Sequence, residues 1–255
     1  MEPEAFTKIE NSSTPGHIAY EVAGLTWLTA AHACRIVRVL HATPMSLTEE
    51  RLNEVRPTLA AAREFGASLA RLHAAGAGGW GCPPEGYHGS GWIGKAPLSL
   101  PDETGSWGRF YAAHRIEPYV DWHWHKAHVL RDLCEALRSG VLDHPQPTLV
   151  RKYARIHGDL WAGNLMWTSA GVVLIDPAAQ GGHAEDDIAA LALFGTPHLD
   201  QIIAGYQEVS SFSPGWQDRI GLHQMHLLVV HAHLFGGGYI GQSVEVAAQI
   251  LRRIG

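Results

Sequence analysis

The sequence has few cysteines and no long hydrophobic run. Its three cysteines, Cys34, Cys82 and Cys134, are far apart and form no CxxC pattern. A chain of 255 residues can bury a full core, so an odd number of dispersed cysteines favours free thiols in a reducing, cytoplasmic compartment. The apolar stretch 227–234 is short and contains two histidines, so we expect no membrane span. The N-terminal residues lack the basic and apolar segments of a signal peptide.

The sequence also lacks a strong excess of charge of one sign. The net charge is −6, and no block of like charges occurs. Binding to nucleic acid or to a membrane surface through bulk electrostatics is therefore not expected. There is no GxSxG motif and no dinucleotide-binding fingerprint at a strand–helix junction, which argues against a hydrolase of that type and a dehydrogenase. The triple glycine 236–238 lacks the lysine of a phosphate-binding loop.

Hydrophobic spacing and turn residues divide the chain into helices and strands. Residues 76–106 are dense in glycine and proline but contain Trp80, Tyr87 and Trp92, which predicts a long, packed loop. The part after residue 186 is predicted to be mostly helical. The remaining predicted elements are strands at 5–9 and 35–41 and helices at 18–31, 59–74, 107–119 and 123–139.

The most informative segment is IHGDLWAGNLMWTSAGVVLIDPAAQGGHAEDDIAALALFG, residues 156–195. Within it, two apolar runs at 165–167 and 172–175 flank the turn-forming residues 168–171, which predicts a β-hairpin. Asn164 lies just before the first strand and Asp176 just after the second. Because a hairpin brings its two ends together, we expect these side chains to meet. Asp159 precedes them by a short loop.

This arrangement suits transfer of a phosphoryl group. Mg²⁺ prefers oxygen ligands and often uses one or two protein groups together with substrate phosphates, so Asn164 and Asp176 are the predicted metal ligands. Asp159 is then the predicted catalytic base for an attacking hydroxyl. The spacing D-x-x-x-x-N, followed by a later aspartate, is that of the catalytic loop of protein kinases. Any one of these residues could instead cap a helix or bind backbone, but the ordered set is much more specific.

The segments HGDLWAGNLMW and VVLIDPAAQGGHAEDDIAALALFG resemble the fructosamine (ketosamine) kinase family, within the aminoglycoside phosphotransferase and choline kinase superfamily. The segments PGWQDRIGLHQMHLLVVHAHLFGGGYIGQ and WIGKAPLSLPDETGSWGRFYAAHRIEPYV also resemble that family. The resemblance covers most of the chain. It implies an α+β, two-lobed, protein-kinase-like fold with a reduced N-terminal β lobe (1–46), a hinge region (47–58) and a mainly helical catalytic lobe (59–255).

The resemblance also implies ATP and Mg²⁺ as cofactors and a ketoamine, such as fructosyl- or ribulosyl-lysine, as the small-molecule acceptor. Lys8 matches the lysine that binds ATP phosphates, and Glu21 matches the glutamate that pairs with it. The segment LTEERL, 47–52, resembles the hinge that holds adenine, which gives Glu50 and Leu52 as nucleotide-binding candidates. Without the downstream motif, Lys8 would be interpreted as an exposed surface lysine.

Five further residues are assigned to substrate binding or to support of the catalytic loop. By resemblance Asp187 braces this loop and His157 orients it through hydrogen bonds. Trp161, His183 and Trp216 are candidates for the acceptor cleft. The family tends to have arginine where this sequence has an alanine after His183, a difference that bears on substrate or loop position.

Several alternatives remain open at the level of sequence. The family has a glycine-rich hairpin before the lysine strand, and only seven residues precede Lys8 here, so we expect that hairpin to be missing. This favours either a chain shortened at its start or a protein that works without a phosphate lid, and it is the main support for the alternative of a non-catalytic nucleotide-binding protein. A related kinase for an aminoglycoside, choline or another sugar is a further possibility. A metallo-hydrolase would use two groups of histidines, namely His123, His125 and His128, and His223, His226, His231 and His233, although the second group is better interpreted as lining the cleft or helix faces.

Overall fold

A computed structural model describes residues 5–255, so residues 1–4 of the predicted N-terminal lobe lie outside the described part. The described helices are α1 (His17–Thr29), α2 (Leu59–Ala74), α3 (Trp107–Tyr111), α4 (Ala127–Ser139), α5 (Ala184–Leu193), α6 (Leu199–Val209), α7 (Trp216–Phe235) and α8 (Gly238–Ile254). The described strands are β1 (Ala5–Ile9), β2 (Arg35–Ile36), β3 (Val39–Thr43), β4 (Ser46–Glu50), β5 (Gly91–Ile93), β6 (Ala96–Leu98), β7 (Ala154–Ile156), β8 (Leu165–Thr168), β9 (Gly171–Leu174) and β10 (Gln180–Gly182).

The chain divides into two compact units. One contains the described residues up to Asp102 together with Gln146–Phe212, and it includes every strand named above. The other contains Glu103–Pro145 and Ser213–Gly255, and it is helical. The presence of several small sheets together with eight described α-helices confirms the predicted α+β class.

The first sheet has the order β1–β4–β3, and both of its pairings are antiparallel. Its buried face packs on α1, where Ile18 and Leu25 contact a core that includes Leu47 and Val173. Residues 47–50 of the expected hinge region belong to the central strand β4, and the hinge role of 47–52 stays a prediction. Leu47 and Glu49 are buried, whereas Ser46, Thr48 and Glu50 are less buried. This alternation has the two-residue period of a strand buried on one face. Irregular backbone begins only at Arg51.

The predicted hairpin in the motif segment is confirmed. β8 and β9 pair antiparallel from Leu165↔Leu174 to Thr168↔Gly171, leaving a two-residue turn between them. β9 also pairs in parallel with β2, so the order of this sheet is β2–β9–β8. A separate pair, β7 with β10, leads into the segment before the hairpin. Within its sheet the hairpin is therefore held through β9, which pairs with β2.

Helices α2 and α6 approach each other closely through two glycines. A Cβ atom on Gly66 would lie 1.9 Å from the carbonyl oxygen of Ile202, and one on Gly205 would lie 1.9 Å from that of Arg63. No side chain fits at such distances, so the two backbones are in direct contact. The prediction of helix 59–74 is confirmed at both ends.

The long segment 76–106 is ordered by its aromatic residues, as predicted. Trp80 is buried and packs edge-on against Tyr153 at a centroid distance of 4.8 Å. The Tyr87 hydroxyl donates a hydrogen bond of 2.8 Å to the Ser90 carbonyl. The segment also contains the short β5–β6 pair, which the sequence did not predict because its strands have only three residues each.

The helical unit is built on buried aromatic and histidine side chains. The predicted helix 107–119 is continuous, but it changes from α3 to a wider π turn at Ala112–Ile116 and a tight turn at Glu117–Tyr119. The Tyr111 hydroxyl lies 3.1 Å from the carbonyl oxygen of His223 and accepts a hydrogen bond of 3.1 Å from the His226 backbone N–H. Within residues 5–255, no helix is long and apolar enough to cross a membrane.

The helix predicted at 123–139 begins later, at Ala127, because Lys126 adopts a left-handed backbone with φ of 61°. His125 therefore lies outside the helix and does not share a helical face with His128. The His123 ring nitrogen hydrogen-bonds Asp121 at 2.9 Å. In the described part of the chain, no cluster of three or more metal-binding side chains includes any of these three histidines. The structure thus gives the metallo-hydrolase alternative no support from this group.

We predict that Gly66→Ala lowers the free energy of unfolding by about 2 kcal/mol, because the helices must separate to admit the methyl group. The matched control is Gly241→Ala in α8, where nothing lies within 4 Å of the added Cβ. Alanine should leave stability there unchanged or raise it by up to about 1 kcal/mol. Urea unfolding of the two variants measures the difference. Equal effects would contradict the packing described for α2 and α6.

Candidate active site

The segment between β7 and β8 forms a loop that depends on a glycine. Gly158 has φ of +81°, and a Cβ there would lie 2.2 Å from the carbonyl oxygen of Ala178. The neighbouring His157 donates from Nε2 to the Ile175 carbonyl at 2.9 Å and accepts from the Asp159 backbone N–H at 3.3 Å through Nδ1. Burial lowers the pKa of His157, which agrees with a neutral ring that accepts at one nitrogen and donates at the other.

Asp187, in the first turn of α5, holds this loop by hydrogen bonds to its backbone. Its carboxylate accepts backbone N–H groups from His157 at 2.8 Å and from Gly158 at 2.9 Å. His73 Nε2 lies 3.1 Å from the same carboxylate, and the Tyr206 hydroxyl lies 3.0 Å from His73 Nδ1. Burial alone would raise the pKa of Asp187, but the hydrogen bond and charge of His73 outweigh it, and the pKa is lowered.

His73 and Tyr206 were not found from the sequence. Each lies on a helix in a segment without a chemical motif, and each reaches Asp187 only through the packing of α2 against α6. A histidine near the C-terminal end of a helix is an ordinary feature of surface helices. No sequence signal separated this buried histidine from that background.

Asn164 connects the catalytic loop to the end of the hairpin. Its amide Nδ2 donates to the Asp159 backbone oxygen at 2.7 Å, to Asp159 Oδ2 at 3.2 Å and to the Asp176 backbone oxygen at 3.5 Å. The three residues singled out by spacing are thus brought together. Burial raises the pKa of the half-buried Asp159 carboxyl to about 6, because desolvation outweighs the hydrogen bond from Asn164.

Lys8 lies in the middle of three carboxylates from three different elements. Its Nζ forms close ion pairs with Glu21 of α1 and Asp176 after β9, and it lies 3.1 Å from Glu49 of β4. Burial would lower the pKa of Lys8, but attraction to Glu21 and Asp176 outweighs it and raises the pKa. Burial raises the pKa of both Glu21 and Glu49. Glu49 was missed from the sequence because its strand was assigned to the hinge.

Two cavities meet at Lys8 and Asp176. The catalytic cavity, of about 310 Å³, is lined by Lys8, His17, Glu21, Trp92, Gly94, Asp159, Trp161, Asn164, Asp176, Pro177 and Ala178. The second cavity, of about 410 Å³, has an apolar side and a charged rim and is lined by Phe6, Lys8, Val37, Glu49, Glu50, Arg51, Leu52, Met166, Ile175 and Asp176. The nucleotide-binding candidates Glu50 and Leu52 both line the second cavity, although Glu50 is the last residue of β4.

The donor atoms beside Asp159 fit a hard cation. The Asn164 amide nitrogen donates hydrogen bonds to Asp159 and Asp176, so the amide oxygen is the atom that could bind a metal. Asp176 is half exposed and adopts a left-handed backbone with φ of 54°, a conformation that aspartate tolerates better than most residues. Both ligands are oxygens, the type that Mg²⁺ prefers. The group Glu21, Glu49 and Asp176 could also hold a cation, but the Lys8 ammonium already lies among these carboxylates.

The three acceptor-cleft candidates have different positions. Trp161 is 39% exposed, lines the catalytic cavity and packs edge-on against Phe194. His183 is fully buried and caps α5, accepting from the Glu185 backbone N–H at 3.2 Å. Its place in the acceptor cleft stays a prediction, and the described contacts give it a capping role. Trp216 opens α7 in the helical unit, and its side chain is buried.

Comparison with known proteins gives a consistent result over the whole chain. The sequence profile of a family described as fructosamine kinase matches residues 1–253. A probable ketoamine kinase from Synechocystis sp. is 31% identical over 258 residues, which cover 98% of this chain and 84% of the relative. The solved structure of a fructosamine-3-kinase candidate from Thermobifida fusca YX-ER1 is 36% identical, with a TM-score of 0.85, over 98% of this chain and 86% of that one.

A more distant solved structure shows the fold alone. Choline kinase LicA from Streptococcus pneumoniae is 13% identical to this chain, with a TM-score of 0.61, over 99% of this chain and 87% of that one. The similarity confirms the predicted protein-kinase-like fold, because this fold is shared by kinases of small molecules with different acceptors.

We predict that Asp159→Asn stabilises the protein above pH 6. The raised pKa means that protonated Asp159 favours the folded state at low pH, and this contribution is lost as pH rises through about 6. Above that pH the wild-type chain holds a desolvated charge that the variant lacks. We expect a gain of roughly 1–2 kcal/mol at pH 8, reduced by the partial exposure of the group, and none near pH 4.

Thermal unfolding of both proteins between pH 4 and pH 8 measures this effect. Asp132→Asn, an exposed position on α4, is the matched control and should show no such pH dependence. A stability difference that is constant with pH would contradict a raised pKa of Asp159.

Proposed function

This chain belongs to the fructosamine kinase family, and we propose that it transfers the γ-phosphoryl group of ATP to a sugar hydroxyl of a ketoamine. It is a phosphotransferase by family. The observation that carries the proposal is the joint position of Asp159, Asn164 and Asp176 on one cavity with Lys8. These residues supply a base, oxygen ligands and a cation beside one another, which is what phosphoryl transfer requires.

The nucleotide is assigned to the two adjoining cavities. Adenine fits the apolar side of the second cavity, formed by Val37, Leu52, Met166 and Ile175, and backbone groups near Glu50 and Leu52 are suited to its polar edge. Lys8 lies where this cavity meets the catalytic one and is the proposed phosphate ligand. Glu21, which is buried and paired with Lys8, fixes the direction of the ammonium group.

Asn164 and Asp176 are the proposed ligands of Mg²⁺. Bound Mg²⁺ neutralises charge on the phosphate oxygens during transfer. The hydrogen bonds from Asn164 to Asp159 and to the Asp176 backbone keep the metal ligands and the base at fixed positions relative to each other. The hydrogen bonds from His157 and Gly158 to Asp187 hold the loop on which the base is located.

Asp159 is the proposed catalytic base. The acceptor hydroxyl oxygen attacks the γ-phosphorus, and its bond to phosphorus forms as the bond from phosphorus to the bridging oxygen breaks. ADP leaves with that bridging oxygen, and the hydroxyl proton passes to the Asp159 carboxylate. A pKa near 6 suits this step, because the carboxylate is ionised at neutral pH and is still basic enough to accept a proton.

The ketoamine acceptor is proposed from the names of the relatives and from the lining of the catalytic cavity. Trp92 and Trp161 both line this cavity, and aromatic faces suit the apolar faces of a sugar. A choline- or aminoglycoside-type acceptor is the alternative. We further propose that the enzyme acts in the cytoplasm, where ATP is supplied and where Cys34, Cys82 and Cys134, which form no disulfides, remain thiols.

The lobe division at 1–46, 47–58 and 59–255 remains a prediction. We propose a smaller change at its centre, in which residues 47–50 complete the N-terminal sheet as β4 and the nucleotide-contacting connection starts at Arg51. Arg51 and Leu52 both line the second cavity, which supports this position.

We predict acceptor-dependent ADP release with Mg-ATP and fructosyl- or ribulosyl-lysine. Asp159→Asn should lower kcat by about 10²- to 10⁴-fold, because the base is lost while the shape of the site is kept. Wild-type kcat should fall as pH drops through about 6, where Asp159 becomes protonated. A coupled assay for ADP measures turnover, and Asp132→Asn is the control with unchanged turnover.

The choice of acceptors separates the candidate functions. Turnover with choline or an aminoglycoside but not with ketoamines would reassign the acceptor and keep the kinase. No turnover with any acceptor, combined with no binding of ATP in calorimetry, would reject the kinase proposal in favour of a non-catalytic protein.

A further inference from the structure

The β5–β6 hairpin places its tip beside the proposed phosphate site. Its two strands pair with Ile93 opposite Ala96, which leaves Gly94 and Lys95 as the turn, and Gly94 has the positive φ of +55° that such a turn needs. Trp92 and Gly94 line the catalytic cavity. Lys95 and Gly94 line an adjoining cavity of about 250 Å³, which shares Lys8 with the catalytic one.

The charges around these two cavities are unbalanced. Their acidic lining residues are Glu10, Glu21, Asp159 and Asp176. Among the described residues, Lys8 and Lys95 are the lysines that line them, and no arginine does. Lys8 is already surrounded by three carboxylates, from Glu21, Glu49 and Asp176. The proposed Mg²⁺ would supply part of the positive charge that a polyphosphate chain needs, and Lys95 is placed to supply more at the adjoining cavity.

The side chain of Trp92 adds a second, independent observation. Its indole Nε1 is buried and has no hydrogen-bond partner among residues 5–255, while its ring lies 6.5 Å from that of His17. An indole N–H can only donate, and leaving a buried donor unpaired costs roughly 1–3 kcal/mol. A donor left unpaired at the edge of a ligand cavity is suited to an oxygen acceptor of the ligand.

We propose that the β5–β6 hairpin is a phosphate clamp, in which the Lys95 ammonium and the Trp92 indole N–H bind phosphate oxygens of the nucleotide. The inference rests on the proposed kinase function and names further binding residues for it. A neutral acceptor hydroxyl could satisfy the indole, but it would give no reason for a lysine at the tip. Phosphate oxygens satisfy both groups.

Isothermal calorimetry with ATP, ADP and adenosine tests the role of Lys95. Lys95→Ala should weaken binding of ATP at least about tenfold, because a charge-assisted hydrogen bond is lost. Binding of adenosine should not change, since it carries no phosphate. Lys95→Arg should recover most of the ATP affinity. Lys152→Ala, which removes an exposed lysine whose ammonium group lies over the face of Tyr153, is the matched control and should bind all three ligands as the wild type does.

Trp92→Phe tests the indole separately from the fold. Because the replaced donor has no partner in the described part of the chain, the variant should unfold at the same temperature as the wild type or a higher one. Its affinity for ATP should nevertheless fall about three- to tenfold, with adenosine unaffected. Loss of stability together with loss of adenosine binding would mean that Trp92 only supports the shape of the site, which would overturn its assigned role.

The remaining outcomes separate this proposal from the proposed function. If the wild type binds and hydrolyses ATP but Lys95→Ala binds it equally well, the phosphate clamp is rejected and the kinase stands. If Lys95→Ala raises only the KM for the ketoamine, Lys95 belongs to the acceptor site and the proposal is again rejected. If the wild type binds neither adenosine nor ATP, the kinase proposal itself fails, and the phosphate clamp fails with it.

Discussion

The structure of the site depends on the ion pairs of Lys8. One ammonium group joins β1 to α1 through Glu21, to β4 through Glu49 and to the end of the β8–β9 hairpin through Asp176. These elements otherwise share an apolar core formed by residues such as Ile18, Leu47 and Val173. The core fixes the distances between the elements, and the buried charges fix their direction, because a carboxylate left unpaired there would be costly.

A second buried network performs the same task for the catalytic loop. Tyr206, His73 and Asp187 form a chain of side-chain hydrogen bonds that ends on the backbone N–H groups of His157 and Gly158. The loop therefore does not rely on Asp159 for its shape. This separation matters for chemistry, because the Asp159 carboxylate, which accepts from Asn164, can change its protonation state while Asp187 still holds the loop.

The sequence was most informative where contacts are local. The hairpin, the approach of Asn164 to Asp176 and the helix 59–74 follow from spacing over a few residues, and the structure places them as predicted. Distant contacts were not accessible in this way. Glu49 and His73 join the site only through tertiary packing, and no local pattern distinguishes them from surface residues.

The differences between prediction and structure have equally specific causes. The segment 47–52 that resembles the family hinge begins inside β4, where Leu47 and Glu49 alternate as in a strand, and its hinge role stays a prediction. The helix predicted from residue 123 starts at Ala127 because the left-handed Lys126 interrupts it, which local helix propensity did not indicate. His183 is buried and caps α5, which its position in the motif did not indicate, and its place in the acceptor cleft stays a prediction.

The distance along the chain between Lys8 and its ion-pair partner Asp176 has a consequence for folding. The two residues of this ion pair are 168 positions apart, whereas β1, β3 and β4 all lie within the first 50 residues. On the ribosome, the N-terminal sheet can therefore form long before Asp176 has been synthesised, at about 5–20 residues per second. Until then the lysine has only its two glutamates. Assembly of the catalytic cavity thus comes late in folding, and a chain interrupted before the hairpin has no catalytic site.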